Sequence, residues 1–159
     1  MLIAFRFALV LAVCLVFAGS ARAGGFFRAE LSDAENVPPF MSPTNAEGRL
    51  LIRVTFRGEL RYSLDVSNLQ NAFAAHIHCG QFGVAAPIGV TLFQTANPFD
   101  AAITLNGTIA HGPILAPDPG NSCGWVELED VVDALRSGDS YVNIHTLQSL
   151  PGEIRGQIQ

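Results

Sequence analysis

Short alternating segments, separated by Gly, Pro and Asn and interrupted by a single helix-period stretch, predict an all-β fold for this 159-residue chain. Seven or eight strand-like segments at regular spacing make an antiparallel β-sandwich or Greek-key barrel, with one short helix.

Phe27–Leu31 alternates apolar and polar residues, as a half-buried strand does. Asn36–Pro43 must be a loop, because Pro38, Pro39 and Pro43 exclude regular structure. Leu50–Phe56 and Leu60–Val66 alternate on either side of Arg57-Gly58, which makes a hairpin. Ile52, Val54, Phe56, Leu60, Tyr62, Leu64 and Val66 share its buried face, while Arg53, Arg57, Arg61 and Asp65 face water. Ala72–His78 is the next strand, turned by Gly80–Gly83. Ile88–Phe93 and Ile103–Ile109 follow, then a loop from His111 to Cys123 with three prolines and two glycines. Glu127–Arg136 places Leu128, Val131, Val132 and Leu135 at helical spacing, and Gly138 ends the helix. Tyr141–Thr146 and Ile154–Ile158 are the last strands, the second tying the C-terminus into a sheet.

The N-terminus has another purpose. Arg6 precedes an apolar run from Phe7 to Ala18, and Ser20-Ala21-Arg22-Ala23 has the small-residue pattern of a cleavage site. Residues 1–23 are therefore expected to be a signal peptide and 24–159 one exported domain, secreted or periplasmic. The apolar run is short for a membrane span, so no membrane association is expected after cleavage. Without the signal, seven arginines stand against fourteen acidic residues, a net charge of −7, and there is no lysine. An acidic chain with no basic run argues against nucleic acid as a partner. A protein partner remains open, its identity unknown.

Cys79 and Cys123 are an even pair in an oxidising compartment, which predicts a disulfide. It would close a loop of about 45 residues and contribute roughly 3–4 kcal/mol. The competing reading makes Cys79 a thiolate metal ligand beside His78, although alternation points it to the opposite strand face.

The chemistry concentrates in His76-Ile77-His78 and in His145 within Tyr141–Thr146. On a strand, His76 and His78 project from one face. If the strand of His145 is a neighbour, three imidazoles converge. Neutral imidazole suits copper or zinc. Three ligands leave a position for water, and His111 as a fourth would close the site. The alternative is a buried network in which the histidines hydrogen-bond Asn143, Thr146 or backbone and organise the core. Glu153 either holds the second ring nitrogen of His145 or forms an ordinary strand ion pair with Arg155. Tyr62 and Trp125 read as core or interface residues. Asn106-Gly107-Thr108 matches a glycosylation sequon. There is no Gly-x-Ser-x-Gly elbow, phosphate loop or CxxC pair. No catalytic residues are assigned, and binding is expected in preference to turnover.

Four blocks carry a family resemblance. Leu31–Pro39 resembles the opening "LSGAQEVPP" of the CHRD domain, named from chordin, and Ala75–Gly80 resembles its "AHIHxG". Ser137–Thr146 resembles its "SGxxYVNVHT", and Pro151–Ile158 its "PGGEIRGQL", with one glycine fewer. The resemblance implies an immunoglobulin-like or dismutase-like Greek-key β-sandwich in secreted proteins. In animals such domains accompany modules that bind growth factors, but the cysteine-rich modules of chordin are absent here. The His-x-His strand beside a cysteine also looks like copper/zinc superoxide dismutases, over about a fifth of the chain. Such enzymes need a second cluster of histidines and an aspartate for zinc, and four histidines in all cannot supply both sites. A copper-dependent oxidoreductase is thus a third reading. It stands behind a copper- or zinc-binding protein and behind an interaction module with structural histidines.

Overall fold

The computed structural model describes residues 24–39, 43–97 and 105–159. The signal-peptide segment, and Ile103 and Thr104 of one expected strand, lie outside the described residues. Two four-stranded antiparallel sheets form a sandwich with no closed barrel. The first sheet has the order β1 (Gly25–Leu31), β2 (Glu47–Val54), β3 (Leu60–Leu69), β6 (Leu105–Ile114). The second has the order β5 (Ile88–Gln94), β4 (Ala72–His78), β7 (Tyr141–Thr146), β8 (Ile154–Gln157). One α-helix, α1 (Leu128–Ser137), precedes β7.

The core lies between the inner faces. Leu50, Ile52, Leu60 and Leu64 from the first sheet meet Ala75, Ile77, Val142, Ile144 and Ile154 from the second, all fully buried. This is the period-2 pattern completed by pairing: each strand gives one face to the other sheet. Helix α1 adds Val131, Val132 and Leu135 to the same core. Asp130 Oδ2 accepts from the amides of Val126 and Glu127 at its start, and Gly138 closes it at φ 73°. One seam between the sheets is stitched by backbone. Arg28 and Gln159 exchange amide hydrogen bonds of 2.8 and 2.9 Å, and Ser32 and Arg155 bonds of 3.0 and 2.9 Å. The chain end is therefore tied in, as expected.

Two expectations fail locally. Alternation predicts Phe56 on the buried hairpin face, but it is 83% exposed. The hairpin closes between Val54 and Leu60, so Phe56 falls in the five-residue connection and alternation no longer applies. The stretch from His111 to Ile114, expected to begin a loop, continues β6. Pro113 is tolerated because β6 is an edge strand of its sheet, where the missing N–H breaks no ladder.

Candidate metal centre

Strand β4 pairs with β7 so that His76 lies opposite Asn143 and Ala74 opposite His145. Ile77 and Ala75 point into the core, so His76 and His78 point outward, onto the outer face of the second sheet. His145 alternates to the same face. The ring centroids of His76 and His145 are 4.9 Å apart, and those of His76 and His78 are 5.9 Å apart. One nitrogen from each of His76, His78 and His145 lies within 4.8 Å of the others.

This outward face is buried. His76 is 9% exposed, His78 6%, Asn143 7%, Glu153 5% and Arg155 2%. Loops roof it. The 79–87 loop, following β4, supplies the Ala86 carbonyl, which accepts from His78 Nδ1 at 2.8 Å. The 147–153 turn supplies the Leu150 carbonyl, which accepts from His145 Nδ1 at 2.8 Å. Its Pro151 carbonyl accepts from Asn143 Nδ2 at 3.0 Å. The 115–127 segment lies over β5: Asp118 accepts from Thr91 N and Oγ1 at 3.0 and 2.7 Å. The Trp125 ring lies so close over Gly89 that a Cβ there would sit 2.1 Å from it. The expected disulfide joins Cys79 to Cys123 and so ties two of these roof segments together.

The two carbonyl contacts decide the tautomers. Each carbonyl can only accept, so Nδ1 of His78 and His145 carries the proton and Nε2 carries a lone pair. Those Nε2 atoms, together with His76 Nδ1, are buried and have no hydrogen-bond partner. Burial lowers the pKa of His76 to about 4, helped by the neighbouring His145 and His78. Burial also lowers His78 to about 4, against the opposing effect of its bond to Ala86. His145 is lowered for the same reason, burial. All three rings are therefore neutral at pH 7, the form that ligates a metal.

His78 has a further constraint that the sequence did not reveal. Its ring stacks on Tyr141 at 4.7 Å and 6°. From β8, on the other side of β7, the Arg155 guanidinium lies 3.5 Å from the Tyr141 ring centroid. The Tyr141 hydroxyl accepts from the Ala86 amide at 3.0 Å, so the same residue, through its N–H and its carbonyl, holds both rings of the stack.

Other expectations resolve differently. His111 is exposed on β6, opposite Ser63 in the first sheet, and its ring is not brought to the other three. Glu153 does not hold His145: it accepts from Thr44 Oγ1 at 2.8 Å and Thr146 Oγ1 at 2.6 Å. Arg155 stacks on Tyr141 and donates to the Gln81 carbonyl at 3.2 Å. Cys79 is spent in the disulfide and is not a thiolate.

The family model of the CHRD domain matches residues 27–158. The chain belongs to the CHRD family. The match covers nearly the whole domain, including all four blocks of the sequence resemblance. No curated protein and no solved structure matches the chain, so the looser likeness to superoxide dismutases gains nothing from comparison. CHRD domains are extracellular, and the disulfide is compatible with that location. Among the described residues no helix is long and apolar enough to cross a membrane.

Proposed function

We propose that this CHRD protein binds one copper or zinc ion through His76 Nδ1, His78 Nε2 and His145 Nε2, and acts as an extracytoplasmic binding protein. One observation carries the reading. Three buried ring nitrogens have no partner, one nitrogen of each of these rings lies within 4.8 Å of the others, and the opposite nitrogens of two of the rings are pinned by backbone carbonyls. Leaving three such atoms unsatisfied in a buried site is costly, and a shared cation offsets that cost. Pinning the far nitrogen is also how ligand rings are oriented at metal sites. Neutral nitrogen donors suit copper and zinc over harder ions. When bound, the ion would supply Lewis acidity or, for copper, one-electron chemistry. Residues 1–23 fit this reading as a cleaved signal peptide that delivers the domain, 24–159, to an oxidising compartment.

The test is the metal content of untagged protein from an oxidising compartment, beside the His76→Ala/His78→Ala double variant. Near-stoichiometric copper or zinc in the parent, lost in the variant, is expected. Neither metal at isolation nor uptake on titration, with the fold intact by circular dichroism, overturns the reading. The histidines would then be structural, in an interaction module. A redox activity that disappears with the copper would extend the proposal to an oxidoreductase.

A further inference from the structure

The outer face of the first sheet divides into two halves by register. In one half, Glu30 of β1, Arg49 of β2, Asp65 of β3 and Thr108 of β6 lie in a row. Its charges are answered: Arg49 pairs with Glu30 at 3.2 Å, and Asp65 accepts from Thr108 and Ser63. The other half has two rows, Arg28–Leu51–Ser63–His111 and Phe26–Arg53–Arg61–Pro113. Its arginines have no carboxylate partner among the described residues. Arg53 and Arg61 are paired directly across β2 and β3, a like-charge arrangement that costs stability when nothing neutralises it. Among the described residues Arg53 meets the Phe26 ring, 5.9 Å from its centroid. Phe26 is 80% exposed and Leu51 41%, apolar surface set among cations. Arg57 and Phe56, the latter 83% exposed, extend the patch at the β2–β3 connection. The acid of that connection, Glu59, is turned to the Thr55 hydroxyl at 3.4 Å.

We propose that this strip, centred on Arg28, Arg53 and Arg61 with Phe26, binds a polyuronate, a linear polysaccharide carrying one carboxylate per sugar ring. Four arguments select that occupant. A guanidinium fork matches a planar carboxylate. Adjacent strands lie about 4.8 Å apart, of the same order as one sugar ring, so Arg53 and Arg61 meet successive carboxylates. Phe26 and Leu51 offer apolar surface to the C–H faces of the rings. The strip is also one chain wide: its two rows, Arg28–Leu51 and Phe26–Arg53, lie two residues apart along the strands, about 7 Å. A planar anionic membrane resting on this face would meet Glu30 and Glu47 as well. The rest of the chain is acidic, so binding is confined to the strip.

The experiment is affinity electrophoresis of the full chain in gels containing polygalacturonate, dextran sulfate or neutral dextran, at low salt and at physiological salt. Polygalacturonate is expected to retard the protein, neutral dextran not. The Arg28→Gln/Arg53→Gln/Arg61→Gln variant should weaken retardation about tenfold, and Phe26→Ser several-fold. Arg49→Gln on the other half of the same face, and Arg136→Gln on α1, control for net charge and should leave it unchanged. All these residues are exposed, and circular dichroism checks that each variant is folded. No retardation by polygalacturonate, binding to dextran sulfate alone, or an equal loss with Arg49→Gln overturns the proposal. So does tighter, Arg53-dependent binding to acidic phospholipid vesicles or to DNA. None of these outcomes depends on the histidine site.

Discussion

The two sheets turn very different outer faces away from their shared core. On the first sheet the outward residues Arg28, Glu30, Arg49, Arg53 and Arg61 are exposed, and their ion pairing is loose. On the second, His76, His78, Tyr141, Asn143, Glu153 and Arg155 are equally polar by type but are 2–9% exposed. Strand alternation is the same in both. The difference is the roof that the 79–87, 115–127 and 147–153 segments make over the second sheet, with no counterpart on the first among the described residues. Burial changes what a polar residue does. In water, an arginine is a free cation available to a partner. Under the roof, Arg155 is fixed over an aromatic ring, and each histidine is driven to its neutral form. The lesson is that a polar strand face becomes a chemical site only when loops exclude water from it.

That contrast can be broken most forcefully at the disulfide. The bond joins residues 44 positions apart, and a Cys79→Ser/Cys123→Ser variant is expected to lose about 4 kcal/mol, read as a lower urea midpoint. The first sheet's outer face should be unaffected, whereas His78 should become more accessible to diethylpyrocarbonate. Next, Glu153→Ala leaves the half-buried hydroxyl of Thr44 and the buried hydroxyl of Thr146 without their acceptor. It should cost about 3 kcal/mol, against under about 0.5 kcal/mol for exposed Glu30→Ala.

A pH titration sharpens the comparison further. The pKa values of His76 and His78 are lower in the folded protein, about 4, than the ordinary 6.5 that they regain on unfolding. Between those values the unfolded chain binds more protons, so metal-free protein should lose stability as the pH falls from about 6.5 to 4. The loss is on the order of 2 kcal/mol per histidine, and a His76→Gln/His78→Gln variant should show a flatter curve. The smallest effect is expected on the open face: Arg61→Gln should change the melting temperature by about 1 °C or less, and removing one of two opposed cations can raise it.

The sequence made much of this readable, and unevenly so. Strand existence was legible because Leu50, Ile52 and Val54 alternate with Leu51 and Arg53, and that period is a direct image of the two-sided environment. The convergence of His76 and His78 followed from the same period. His145 needed only one unknown, the adjacency of β4 and β7. The roof was not legible, because Ala86 and Leu150 act through backbone carbonyls, which any residue carries. The Arg155–Tyr141–His78 stack was hidden because its members come from three strands whose register no single segment encodes. The basic strip was missed for a similar reason. Its arginines are dispersed in sequence within an acidic chain, and only cross-strand pairing collects them. His111 misled because a proline and a glycine beside it suggested a loop, when an edge strand accommodates both.

The seam between β1 and β8 has a consequence for the life of the chain before it is folded. Gln157 N donates to Glu35, 122 positions earlier, and Asn36 Nδ2 donates to the Glu153 carbonyl, 117 positions away. Contacts this distant in sequence form slowly, since a long loop must close before they give anything back. A chain emerging from the ribosome holds the sandwich open until β8 has been made, and the imidazole trio is incomplete until β7 has. The two sheets thus join at this seam only when nearly the whole domain has been made.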